Sequence, residues 1–382
     1  MLLFSAAAQD GPSAFVGLAE NHSLVLQAAP GAQVLINGID FQALADKLAV
    51  LERKLRTPRC VTVADTTIAG FGTGRKWLGG VLADNGKIYG IPSDANSVLV
   101  VDPAARTVGT TSMVLTRVAL AWWGGVLARN GNIYGIPRNS ASVLIINPTT
   151  NTTDTTTILV SASLDKWRGG VLAGNGKIYG VPLAATSVLI IDPATNTADT
   201  TTISGLTASN KWAGGALSAN GRIYCAPYAA DSVLVIDPLT NTIDTLSIAG
   251  LPRGDGGHWQ DTARGPNGKI YGIPWLSKSV LVIDPATNAV DATSITIAEP
   301  TGFSQWASGV LAGDGKIYGI PHGSESVLIL DPTTNATDTT TIAGLAGNSK
   351  WAGGVLARDG RIYGIPLGAT SILVIKKDCA RL

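Results

Sequence analysis

From about residue 60 onward the chain is written in short apolar blocks broken by Gly, Asn, Asp or Pro, and one such pattern returns seven times. It starts with Trp, a variable residue and Gly-Gly-Val-Leu-Ala, then runs through Asn-Gly-Lys-Ile-Tyr-Gly-Ile-Pro and Ser-Val-Leu-Val-Ile-Asp-Pro into a Thr-rich stretch. The leading Trp stands at Trp77, Trp122, Trp167, Trp212, Trp259, Trp306 and Trp351, with spacings of 45, 45, 45, 47, 47 and 45. Tyr89, Tyr134, Tyr179, Tyr224, Tyr271, Tyr318 and Tyr363 keep step. A fixed period of this size marks a repeat architecture.

Each unit predicts four strands. Gly80-Val81-Leu82-Ala83 is a short apolar run suited to an inner strand buried on both faces. Asn85-Gly86 supplies the two left-handed residues that a tight hairpin requires. Lys87 to Ile91 and Ser97 to Val101 follow, rich in β-branched residues, and Asp102-Pro103 turns the chain. The Thr-rich run from Thr197 to Ile203 shows the expected exposed outer strand most clearly. No helical period appears after about residue 57. The fold class is therefore all-β, a seven-bladed β-propeller of four-stranded blades over residues 60–382.

The run Ser187 to Thr197, followed by Gly214-Gly215-Ala216-Leu217-Ser218-Ala219-Asn220-Gly221-Arg222-Ile223-Tyr224, resembles the YVTN-type propeller repeats of microbial surface proteins, and more distantly NHL-type propellers. The chain departs from that pattern with Trp where the family often has Pro, and with Gly-Ile-Pro after the Tyr. The resemblance implies a surface or secreted binding module, although a fold alone does not fix a function.

The seventh unit stops after its third strand, Ser371 to Ile375, while an unpaired fourth-strand copy, Val63 to Gly70, precedes the first Trp. The N-terminal strand is thus expected to complete the last blade and remove an exposed edge. Aligned on the fourth unit, Cys60 and Cys379 both fall at the place of Thr240, which predicts a Cys60–Cys379 disulfide. Chain entropy for so long a loop gives at most about 5–6 kcal/mol. Such a bridge belongs to an oxidising compartment, so the expected location is extracytoplasmic, at the cell surface or secreted. Cys225, replacing a repeat Gly, reads as a small buried residue. Met1 to Ala8 lacks the basic start of a signal peptide, and sequons stand at Asn21, Asn151 and Asn335.

Residues 1–59 lie outside the repeat. Ser23 to Gln27 and Gln33 to Ile36 predict two short strands around Pro30-Gly31, after which Asp40 can cap a helix over residues 41–56. Phe41, Leu44, Leu48, Leu51 and Leu55 follow a heptad, so this helix is a candidate coiled coil for a homo-oligomer, or packs on its own propeller.

Net charge is +1, from Lys+Arg 28 against Asp+Glu 27. That balance argues against nucleic acid or an anionic membrane as partner. No apolar run is long enough for membrane insertion as a helix, and 45% hydrophobic residues exclude disorder.

Positions that diverge between repeats are free for function. The residue after Ile-Pro varies (Ser93, Arg138, Leu183, Tyr228, Trp275, His322, Leu367), as do the loops ahead of each Trp, so one propeller face is the candidate binding surface. The fifth unit departs furthest, with His258-Trp259-Gln260-Asp261 and Arg264 where others carry an apolar strand. Asp261 and Arg264 on an inner strand must pair with each other or line a wet channel. With Trp275, Lys278, Tyr228, His322, Glu325 and Arg138 these residues form the candidate ligand site. The repeated Trp residues read as packing between blades, with sugar stacking as the rival. Lys76, Lys166, Lys211 and Lys350, ahead of four of them, read as solvated or as ringing the channel mouth.

No nucleophile–His–acid spacing and no phosphate loop appears. His258, His322 and Glu325 are a candidate metal set for a lyase or hydrolase, since this chain resembles the streptogramin-lyase type of propeller in its blade pattern only. The recurring Asp192, Asn196, Asp199 set fits turn capping better than calcium. Arg253-Gly254-Asp255 is too short to carry meaning. The leading expectation is a non-catalytic binding or adhesion module without cofactor, taking a glycan or protein ligand. A metal-assisted lyase or hydrolase and a structural surface-layer component are the alternatives.

Overall fold

A computed structural model describes residues 59–380 apart from 111, 208–210, 253–256 and 298–303, together with 15–18, 24–27, 35–36, 39–40 and 46–47. The chain divides into two compact units: Met1–Val61 with Asp378–Leu382, and Thr62–Lys377.

The larger unit is a seven-bladed propeller. Blade 1 pairs Trp77–Leu82, Ile88–Pro92, Leu99–Asp102 and Thr107–Gly109 in that order, and the next five sheets repeat this antiparallel meander. The seventh sheet takes Trp351–Leu356, Ile362–Pro366 and Leu373–Ala380 from the chain's end and is completed by Arg59–Asp65 from its beginning. Ala69 bridges Ser371, and Ile372 N–H donates to Ile68 O beside that strand. Cys379 is disulfide-bonded, whereas Cys225 is a buried free thiol, its pKa pushed up by burial. The side chain of Cys60 lies outside the described residues.

The core sits between neighbouring sheets. At one junction Val171, Tyr179 and Val181 of blade 3 pack on Trp212, Ile223, Cys225 and Leu234 of blade 4. The repeated Trp residues belong to these layers: all seven are at most 4% exposed, and each indole N–H donates to the backbone oxygen of the Ser 20 residues on, as Trp77 does to Ser97 at 2.8 Å. A buried indole needs such an acceptor. They are scaffold, and the sugar-stacking alternative falls.

A second device ties blade to blade on the Asn-Gly rim. Asn130 Nδ2 donates to Tyr134 Oη and to Pro193 O of the next blade, while Tyr134 Oη donates to Asn196 Oδ1. Asn196 holds φ 52°, a left-handed conformation that Asn tolerates better than most residues. Asp192 caps its own turn through Ala194 N–H, and Asp199 receives Thr201 and Thr202. The Asp192, Asn196, Asp199 set is therefore consumed by turns.

The outer strand is shorter than expected. It runs Thr197–Asp199 only, because the Asp199 carboxylate gathers the N–H and hydroxyl groups of Thr201 and Thr202 into a turn. At the closing blade the neutral Asn latch gives way to charge: Asp314 pairs with Lys377 at 3.5 Å, and Arg106 reaches Asp65 at 3.1 Å.

In the smaller unit Leu24–Gln27 pairs with Phe15–Leu18, and Leu35–Ile36 with Ile39–Asp40. Both expected strands exist, but each finds a different partner, and Asp40 is strand-paired to Leu35; its side chain and residues 41–45 lie outside the described residues. Of the heptad segment 41–56, Asp46 and Lys47 are described and helical; the heptad apolar positions lie outside the described residues, as does Arg253-Gly254-Asp255.

Candidate functional site

Two concentric rings of variable side chains ride on a constant backbone at the Ile-Pro face. The outer ring is the residue after each Ile-Pro. Its N–H bonds to the residue before its own Trp, and its carbonyl accepts from the residue before the next blade's Trp: Tyr228 N–H to Lys211 O, then His258 N–H to Tyr228 O. Arg138, Leu183, Trp275 and His322 repeat this linkage. The frame holds whatever the side chain is, so substitution here leaves the ring intact. The inner ring is the residue just after each Trp, including Leu78, Trp123, Arg168, Gln260, Ala307 and Ala352.

The inner ring surrounds a cavity of about 230 Å³ at the propeller axis, floored by glycines. Glycine is needed there for space as well as for conformation. A Cβ on Gly79 (φ +82°) would meet Gly124 Cα at 2.8 Å, and one on Gly353 would meet Gly79 Cα at 2.5 Å. Blades 5 and 6 replace this glycine with Asp261 and Ser308, which also line the cavity.

One sector of the mouth is apolar: Leu78, Ala307, Ala352 and Leu367 cluster with Trp123 and Trp275 against them. Trp275 also packs against His322, ring centres 4.6 Å apart and planes tilted by 51°. Burial draws the His322 pKa down to about 4, so its imidazole is neutral at pH 7. The other sector is polar. Arg168 is 7% exposed, with its guanidinium carbon 4.1 Å from the Trp123 ring centre and 4.5 Å from that of Tyr228. The Tyr228 ring is seated on Gly257, where a Cβ would come within 2.4 Å of it. Arg138 lies 4.9 Å from the Trp123 ring centre and pairs with Asp165 at 2.5 Å. Burial lowers Arg168 to about 10, which leaves it charged at neutral pH. Its Nε and Nη1, Gln260 Oε1, Thr262 Oγ1 and His258 Nε2 are buried without a hydrogen-bond partner. Burial raises Asp261 to about 6, against bonds from Thr262 N–H, the Ser308 hydroxyl and Gly309 N–H.

Of the sequence-selected residues, Arg138, Tyr228, His258, Gln260, Asp261, Trp275 and His322 belong to these rings or to the backbone frame beneath them. Four do not. Trp259 is 1% exposed scaffold bonded to Ser279 O. Arg264 is exposed at the far, hairpin end of its strand, paired with Ile270, and Asp261's bonding partners do not include it. Lys278 and Glu325 are exposed, their carbonyls bound to Ile297 and Leu345 beyond the outer strands. Among the described residues no three His, Cys, Asp or Glu gather closely enough to hold a metal ion, so His258, His322 and Glu325 are not a metal set.

The lysines before the Trp residues are also a correction. Lys166, Lys211 and Lys350 are at most 5% exposed, and their ammonium groups donate to loop carbonyls of the preceding blade such as Ser140 O, Ala185 O and Ser324 O. They staple blades and neither ring the channel nor face solvent. Trp123, Arg168 and Ser308 are the site residues that sequence reasoning passed over; the signal was the variable position after each constant Trp for the first two, and the replaced glycine one residue further for Ser308.

The fold has relatives. Streptogramin B lyase superposes with TM-score 0.65 at 12% identity, covering 83% of this chain and 98% of that one. Virginiamycin B lyase from Staphylococcus aureus, crystallised with quinupristin, gives 0.66 at 11%, covering 82% and 99%. The extracellular domain assigned to a hybrid two-component system of B. thetaiotaomicron gives 0.61 at 10%, covering 98% of this chain and 46% of that one. An auxiliary nutrient binding protein from Bacteroides ovatus gives 0.52 at 13%, covering 84% and 78%. At such identities the likeness is one of fold. No protein-family model and no curated protein sequence matches the chain, so the YVTN resemblance is not shown, while the propeller it implied is.

Proposed function

We propose that this chain is a non-catalytic binding module working outside the cytoplasm, with a glycan or protein ligand seated on the Ile-Pro face over the channel mouth. The observation that carries this reading is the contrast between the two rims. On the Asn-Gly rim the repeated Asn, Tyr and Asp side chains are spent on latches and turns. On the other rim Trp123, Tyr228 and Trp275 are partly exposed rings beside buried polar atoms that lack protein partners. Flat rings flanked by fixed polar groups suit saccharides and peptide side chains.

Propellers of extracellular domains and of a nutrient-binding protein among the structural relatives support the same role. No helix among the described residues is long and apolar enough to cross a membrane. The lyase relatives favour a second reading by shape, but the residues that would hold its metal are not grouped here. A glycan array with wild type, Trp275→Ala and Tyr228→Ala tests the proposal: hits that vanish in both variants are expected, and hits unchanged in both would overturn it.

The same reading takes Cys60 as the partner of Cys379, because the other remaining cysteine, Cys225, is free. Peptide mapping without reductant should yield one linked fragment containing both residues. It also takes residues 41–56 as an oligomerisation helix that raises avidity, for which light scattering should return a multiple of 39.2 kDa.

A further inference from the structure

Arg168 is a buried cation with no bonded carboxylate among the described residues, and its Nε and Nη1 have no hydrogen-bond partner. Its neighbour Arg138 adds to the positive charge, and Asp165, a carboxylate that acts on it, is already bonded to Arg138 at 2.5 Å. Asp261 lines the same cavity, but its bonds come from Thr262 N–H, the Ser308 hydroxyl and Gly309 N–H rather than from Arg168. Burying a guanidinium without a counter-charge is costly and is tolerated where a ligand supplies the missing half. The Trp123 and Tyr228 ring centres lie 4.1 and 4.5 Å from the guanidinium carbon, Nε and Nη1 are buried without a partner, and Arg168 lines the cavity. The edge of a guanidinium is the surface that meets a planar carboxylate.

Resting on the binding-module reading, we propose that the channel mouth takes the carboxylate of an acidic saccharide, a uronic acid, on Arg168. A carboxylate carries one negative charge and matches one guanidinium, whereas a phosphate dianion carries up to two. Asp261 and Ser308, on the cavity wall, accept and donate hydrogen bonds and suit the sugar hydroxyls. The volume of about 230 Å³ is below the usual range for drug-sized ligands, roughly 300–1,000 Å³. It therefore takes a single terminal residue, and the rest of the chain lies across Trp275 and Trp123.

The test is calorimetry at low salt with D-glucuronate, acetate and D-glucose on wild type, Arg168→Gln and Arg168→Lys. Glucuronate is expected to bind at least tenfold more tightly than acetate or glucose. That advantage should be lost in Arg168→Gln and partly kept in Arg168→Lys. Equal binding of glucuronate and glucose, or an Arg168→Gln protein that binds glucuronate like wild type, overturns the proposal. Acetate binding as well as glucuronate overturns its saccharide part. Should Arg168→Gln fail to fold, the wild-type comparison of the three probes still decides. Neutral-glycan hits that depend on Trp275 but not on Arg168 would leave the module reading standing and remove this one. Glucuronate binding without any array hit dependent on Trp275 or Tyr228 would do the reverse.

Discussion

Tyr134 Oη and Asn196 Oδ1 meet at 2.6 Å across the junction between the second and third blades. Asn196 does two jobs there, accepting that hydrogen bond and holding φ 52°. The two contributions separate by substitution. Asn196→Gly keeps the backbone and loses only the bond, costing about 1 kcal/mol. Asn196→Ala loses both and costs about 2 kcal/mol. Denaturant unfolding should rank them in that order, and an Ala variant as stable as the Gly one would remove the conformational half of the argument.

The fold was legible because the pattern repeats: a period shared by seven Trp and seven Tyr residues averages away local ambiguity. Ring closure was legible for the same reason, since a missing strand at one end had its copy at the other. The site was harder to read. Trp123 and Arg168 are 45 residues apart and each looks like a single irregularity after a constant Trp; only the circular stacking of blades brings the guanidinium to 4.1 Å from the indole. Lys166 misled because a loop lysine is ordinarily solvated. The carbonyls that bury it belong to the preceding blade and to its own loop, at Ser140 and Ser163. Arg264 misled in another way. An inner strand seems wholly buried in sequence, yet its hairpin end is open to solvent.

The axis depends on glycine for packing as much as for backbone conformation, and two glycines of nearly equal φ separate the effects. Gly86 (φ +80°) has nothing within 4 Å of a Cβ, whereas Gly79 (φ +82°) has Gly124 Cα at 2.8 Å. Gly86→Ala should cost about 1 kcal/mol, from conformation alone. Gly79→Ala must also push two inner strands apart and should cost about 2–4 kcal/mol. Thermal unfolding of both variants measures the gap, and equal losses would mean that the blades part more easily than this packing implies.

Asp261 gives the propeller a pH dependence of unusual sign. Its pKa is about 6 when folded, because burial penalises the carboxylate, against about 3.9 for an unfolded Asp. Between those values the folded state binds the proton more strongly, so this residue's stabilising contribution is complete below about pH 4 and is lost as pH rises through 6. The loss is at most about 3 kcal/mol, for a shift of about two units. His322 acts in the opposite sense: its pKa falls to about 4, so its contribution is complete above about 6.5 and is lost on acidification. The two oppose each other in wild type, and Asp261→Asn removes the one whose stabilisation fades with rising pH, leaving His322 and the turn-capping carboxylates such as Asp154, all of which lose stabilisation on acidification. The variant should exceed wild type in stability at pH 7.5, by a margin that shrinks toward zero at pH 4. Denaturant midpoints for both proteins at the two pH values measure that margin. A margin that does not change with pH would mean that the Asp261 carboxyl titrates as it would in water, and that the channel wall does not desolvate it.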